Sequence, residues 1–183
     1  MKKFLIISGV FFLIVFAVLA YIRFYYTKSF SPEADAEYNS NGARIHVFYN
    51  RPYKKGREIF GGLVPYDTVW RTGANEATVF ESNKNLLVKG KPLKAGSYSL
   101  WTIPGEQSWK VIFNSETGQW GVDFNGEANR RIQNDVLTVE VPTLTHDKEF
   151  EQFTISIEQV GEDLELILLW DKTVVVVPIS FNQ

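Results

Sequence analysis

Phe153-Thr154-Ile155-Ser156-Ile157-Glu158-Gln159-Val160 decides how this chain is read. Phe153, Ile155 and Ile157 alternate with Thr154, Ser156 and Glu158. A period of two places the first set on one face of a β-strand and the second on the other. Two denser apolar runs follow, residues 164–170 and 173–179, set off by Gly161-Glu162-Asp163 and Asp171-Lys172. Together they predict a three-stranded meander of tight hairpins. Residues 174–177 are all valine, so the last strand is expected at the centre, covered on both faces. Ile155, Ile167 and Val175 are the expected core positions.

The same pattern continues upstream. Ile45, Val47 and Tyr49 alternate with Arg44, His46 and Phe48, and Leu137, Val139 and Val141 alternate with Val136, Thr138 and Glu140. Residues 78–81 and 86–89 are shorter strand candidates, and residues 97–103 and 108–113 flank a Pro104-Gly105 turn. β-branched and aromatic residues suit a pleated, half-buried surface. Eight or nine such strands, with no amphipathic helical pattern among them, predict an all-β fold. It is an antiparallel β-sandwich, jelly-roll or Ig-like, over residues 43–183. Residues 29–42 are polar, with Ser29, Ser31, Pro32, Asn39, Ser40 and Asn41, and read as a tether.

The first 28 residues are of another kind. After Met1-Lys2-Lys3, no charge occurs from Phe4 to Ile22, and Tyr21, Tyr25 and Tyr26 lie around Arg23. A bilayer offers the backbone no hydrogen-bond partners, so a stretch of about 20 apolar residues crosses it as a helix. One N-terminal transmembrane helix is expected, with tyrosines at the interface. A signal peptide cut after Ala20, behind Val18-Leu19-Ala20, is the alternative. Either reading puts the remainder outside the cytoplasm, in a periplasm or on a cell surface.

Composition narrows the function classes. The chain of 183 residues has no cysteine, which excludes disulfides, thiolate metal sites and a cysteine nucleophile. All 21 acidic residues follow position 30, as do 15 of the 19 basic ones, so that part is mildly acidic. Nucleic acid is not an expected partner. His46 and His146 are isolated, and Asp123-Phe124-Asn125-Gly126-Glu127 has its glycine too early for a calcium loop. Gly96-Ser97-Tyr98-Ser99 lacks the second glycine of a serine elbow, and Gly90-Lys91-Pro92 lacks the spacing of a P-loop. No metal, cofactor or catalytic residue is assigned.

One region exceeds what generic β-structure requires. Arg51-Pro52-Tyr53-Lys54-Lys55-Gly56-Arg57-Glu58-Ile59-Phe60-Gly61-Gly62 leads through Pro65-Tyr66 to Trp70-Arg71-Thr72-Gly73-Ala74-Asn75-Glu76-Ala77-Thr78. Gly90-Lys91-Pro92-Leu93-Lys94-Ala95-Gly96-Ser97-Tyr98-Ser99-Leu100, Ile112-Phe113-Asn114 and Trp120-Gly121 follow. Over residues 31–180 this pattern resembles the bacterial domain-of-unknown-function 2911 family. The resemblance implies an exported or envelope domain and no established activity. It also implies glycine after the Pro-Tyr pair, where this chain has Asp67.

The residues of this region suggest a polar site on a long loop. Arg51, Arg57, Tyr66, Trp70, Arg71, Asn75 and Glu76 are the candidate ligand-binding residues. An arginine fork suits a carboxylate or phosphate, Asn75 offers a donor and an acceptor, and Trp70 a flat wall. A small polar or glycan-like ligand, or an envelope protein, is the expected partner. A platform of Trp70 and Trp120 would favour a glycan. Two alternatives stand beside this. Glu58, Asp67 and Glu76 could supply a hydrolase acid and base. Otherwise Arg71 and Glu76 form a buried pair in a purely structural envelope module, with Asn75 satisfying the loop backbone.

Overall fold

The computed structural model describes residues 2–181. Helix α1, Lys2–Tyr21, continues through a π-helical turn, Ile22–Tyr26, into a last turn α2, Thr27–Phe30. The Thr27 amide bonds the Ile22 carbonyl, five residues back, which is the bond that widens the turn. None of the helix from Lys3 to Phe30 is buried by the domain along its apolar window, and it is long and apolar enough to cross a membrane.

Nine antiparallel strands follow: β1 Glu33–Ser40, β2 Ala43–Asn50, β3 Thr78–Ser82, β4 Leu86–Val88, β5 Lys91–Leu93, β6 Gly96–Ile103, β7 Ser108–Asn114, β8 Asp135–Val160 and β9 Asp163–Phe181. Their order is β1-β2-β3-β6-β7-β8-β9-β4-β5, a meander whose β4–β5 hairpin crosses to join β9. The first part of β8 pairs with β7 up to Pro142, and from Thr143 it pairs with β9. The sheet thereby folds into two layers. Val47, Phe80, Leu100, Val111 and Phe113 of one layer and Leu86, Ile155, Leu166, Leu168 and Val175 of the other share one core.

Four expectations change. Residues 33–40, read as tether, are the edge strand β1, joined to β2 by an Asn41-Gly42 turn with φ of 49° and 75°. Only Ala36 of β1 is buried, so its apolar signal is faint. Asp171-Lys172 does not reverse the chain, and β9 runs through it as one strand. Asp171, at φ 55°, lies where the register with β8 shifts, and surplus residues of β8 bulge opposite it. Third, the strand phase in β9 is displaced by one residue. Leu164, Leu166, Leu168 and Trp170 face the core, which leaves Ile167 half-buried, whereas Ile155 and Val175 are buried as expected. Val174 and Val176 are half-covered, so the last strand is sealed on one face only.

Candidate functional site

Between β2 and β3 the chain leaves the sheet at Asn50 and returns at Thr78. Its first part is sewn to β8. The Phe153 amide donates to the Pro52 carbonyl at 3.0 Å, the Lys54 amide to that of Glu151 at 2.6 Å, and Tyr53 bridges Gln152. Arg51 is spent here, its Nε donating to the Phe153 carbonyl at 3.0 Å and its Nη2 to the Thr154 hydroxyl at 2.8 Å. Ile59 and Val64, both buried, plug the next loop into the core. Tyr66, half-buried, lies against Gly61, where a Cβ would come within 2.8 Å of its ring. Burial raises the Tyr66 pKa, and the charges of Glu106 and Glu58 raise it further. Asp67 occupies the left-handed region at φ 58°, the conformation for which glycine would be favoured.

Trp70 closes an aromatic cluster. Its indole stacks on Trp170, with centroids 5.8 Å apart and planes at 18°, and meets Phe60, Trp109 and Phe153 edge-on. Trp70 Nε1 donates to the Gly73 carbonyl at 3.1 Å. Trp120 is elsewhere, under the Arg23 guanidinium at 3.8 Å, so the two indoles do not form one platform.

The backbone from Trp70 to Glu76 is strained. Thr72 and Asn75 lie at φ 55° and 57°, and Gly73 at φ 150°. A β-branched residue at positive φ is an outlier that only surrounding contacts can hold. Thr72 is fully buried, its hydroxyl 3.1 Å from that of Thr102, and its carbonyl accepts from Thr78 Oγ1 at 2.6 Å. A Cβ on Gly73 would meet the Asn50 carbonyl at 2.9 Å. Asn75 is buried, its amide donating to Asn50 Oδ1 at 3.2 Å while its carbonyl accepts the Gly121 amide at 2.9 Å. It thus serves the loop itself.

Glu76 does not pair with Arg71. Its carboxylate receives Arg23 Nη1 at 2.6 Å and Asn50 Nδ2 at 3.2 Å, with Lys28 Nζ at 3.4 Å. Burial would raise its pKa, but the Arg23 hydrogen bond, its own backbone amide and the charges of Arg23 and Lys28 outweigh this and hold the carboxyl below its ordinary value. The end of the N-terminal helix is thereby tied to the loop.

Arg71 stands apart. Among the described residues its guanidinium has no ion pair and no hydrogen bond, and its Nε is buried without a partner. Burial lowers its pKa, although an arginine stays charged at neutral pH. Its stem lies across Gly121, where a Cβ would be 2.1 Å from Arg71 Cδ. Beside it opens a cavity of about 760 Å³, also lined by Arg57, Trp70, Val122, Ala128 and Trp170. The buried indole N–H of Trp170 is likewise without a partner. Arg57 is exposed at the rim, with its Nε held by the Lys54 carbonyl at 3.0 Å.

The fold therefore brings Arg57, Trp70 and Arg71 to one cavity. Arg51, Asn75 and Glu76 hold the surroundings together, and Tyr66 does not line the cavity. Glu58 and Asp67 are exposed and Glu76 is engaged by cations, so the three carboxylates are not assembled as an acid–base set. Trp170, Val122, Ala128 and Phe30 were not expected at the site. They come from remote segments, and no local pattern marks them. Asp123 of the candidate calcium segment instead accepts the amides of Asn125 and Glu127 at 2.8 and 3.1 Å, as an ordinary turn.

Neither a curated protein nor a solved structure matches the chain. The model of a family described as a protein of unknown function, DUF2911, matches residues 31–179, most of the sequence, and the chain belongs to that family.

Proposed function

We propose that this protein is a noncatalytic binder of an organic anion carrying a carboxylate or phosphate, held in the Arg71 cavity. The domain sits outside the cytoplasm, tethered by its N-terminal helix. The observation that carries the reading is the unpartnered Arg71 guanidinium. A half-buried guanidinium ordinarily meets a carboxylate or a carbonyl, as those of Arg23 and Arg51 do, and that of Arg71 meets neither. Here the neighbouring carboxylate is taken by Arg23 and Lys28, and what Arg71 faces is open volume. The volume lies within the range of about 300–1,000 Å³ usual for small-molecule sites. Both unpartnered polar atoms at the cavity, Arg71 Nε and Trp170 Nε1, are donors. Both are sealed from solvent, so an acceptor in the cavity is met by the terminal amino groups of Arg71, whose fork suits a carboxylate or phosphate in particular.

The test is a thermal-shift series on the full chain in neutral detergent, with acetate, inorganic phosphate and larger carboxylates and phosphates. A ligand that binds the native state raises its midpoint with concentration. The rise is expected for anions, and is lost in Arg71→Gln. If no anion moves the midpoint, or if Arg71→Gln responds as the wild type does, the reading fails.

A further inference from the structure

Resting on that reading, we infer that the anion is the head of a single-chain amphiphile taken from the membrane, either a fatty carboxylate or an alkyl phosphate. Four features converge on this. Beyond its charged groups, the cavity wall is aliphatic and aromatic, with Leu63, Val64, Val69, Val122 and Ala128 around Trp70. A hydrophilic anion would leave these walls against water, whereas a hydrocarbon chain would cover them. The volume suits one chain with its head and is small for a two-chain lipid.

The rim is apolar as well. Leu63 is 46% exposed, and Phe124, on the loop that leads into the lining residues Gly126 and Ala128, is fully exposed. Most decisive is what the N-terminal helix does. Its last residue Phe30 and the next, Ser31, are themselves part of the cavity wall. Arg23 and Lys28 on Glu76, with Arg23 on Trp120 and Lys55 over Phe30 at 5.1 Å, hold that helix end against the domain. The wall of the cavity is thus continuous with the segment apolar enough to cross a bilayer. A molecule moving from the interface along the helix meets Phe30, then the aliphatic wall, then the Arg71 cation. Cleavage behind Ala20 would leave Arg23 to Phe30, and with them the cavity wall, in place.

The experiment uses the full chain in phosphatidylcholine nanodiscs. All five tryptophans lie from Trp70 to Trp170, none in the helix, and two line the cavity. Bromine at the end of 12-bromododecanoate should quench their fluorescence saturably, and the uncharged 12-bromododecanol should not. Arg71→Gln should weaken the carboxylate by about tenfold to a hundredfold, as expected for a lost charge-assisted contact. Unbrominated hexanoate, octanoate and decanoate should compete with affinities that rise about fourfold per methylene, referred to free aqueous concentration. Decanoate against decyl phosphate then tells which head is preferred. Val122→Phe, which crowds the aliphatic wall, should weaken decanoate more than acetate. If acetate or phosphate competes through Arg71 but lengthening the chain gains nothing, the anion site stands and the amphiphile is overturned. If the alcohol quenches equally, or Arg71→Gln quenches like the wild type, the amphiphile is likewise overturned. If no anion of any length competes, both readings fall together.

Discussion

Arg51 and Arg71 lie on the same excursion between β2 and β3, yet their surroundings are opposite in kind. At the seam with β8, Arg51 is bonded to the Phe153 carbonyl and the Thr154 hydroxyl, and the backbone around it is paired from Pro52 to Lys54. At the cavity, Arg71 is packed over Gly121 with its Nε buried and nothing to donate to among the described residues. The first arrangement adds stability by satisfying buried groups on both sides. The second lowers it, because the buried Nε is left without an acceptor. Groups that lower stability are what a binding site retains and a structural seam does not. The two arginines separate the part of the loop that is bonded to the sheet from the part that lines the cavity.

The comparison can be broken by mutation, and the effects should fall in a definite order. The seam and the cavity share the aromatic cluster, so Phe153→Ala should have the largest effect. Phe153 is fully buried among Tyr49, Trp70 and Trp170. Urea unfolding of the full chain in detergent should register a loss of about 3–5 kcal/mol. Arg51→Ala comes next. It orphans the Phe153 carbonyl, and the same measurement should give a loss of about 1–3 kcal/mol. A near-neutral Arg51→Ala would erase the distinction drawn here.

Gly73→Ala tests whether the strained loop is over-determined. With φ at 150° and the Asn50 carbonyl in the way, the thermal midpoint should fall by the equivalent of about 1 kcal/mol or more. Glu76 carries a pH dependence of known sign. Its folded pKa is below the ordinary carboxylate value, so its contribution is complete above about pH 5 and declines as pH falls through the lowered value. The midpoint difference between wild type and Glu76→Gln should therefore be constant near neutrality and shrink in acid. A difference that grows in acid would mean that Glu76 is not held by Arg23 and Lys28. Arg71→Gln should have the smallest effect on unliganded stability, within about 0.5 kcal/mol of wild type or above it. A loss as large as that of Arg51→Ala would show a hidden partner and remove the reason to regard the cavity as a site.

The sequence itself determined the elements whose physics is local. Alternation at residues 153–160 and 43–50 marks strands because a pleated chain exposes every second residue to the core. The uncharged run from Phe4 to Ile22 marks an apolar helix because, Ser8 and Gly9 apart, its residues face water only at a cost. β1 was legible in part, since Ala34, Ala36 and Tyr38 do alternate with acids ahead of Asn41-Gly42, but small alanines on an edge strand contribute little apolar area. The one-residue phase error at Ile167 arose because a run apolar at nearly every position carries no period to read. The motif at Trp70 to Glu76 pointed to the loop beside the cavity, but pairing was another matter. Proximity along the chain suggested that Arg71 would find Glu76. Only the tertiary structure decided that Arg23, from the helix, reaches Glu76 first. The cavity wall was equally invisible, assembled from Phe30, Val122, Ala128 and Trp170. Short-range geometry follows from neighbouring residues, whereas the partner of a charge depends on which distant segment folding brings within a few ångströms of it.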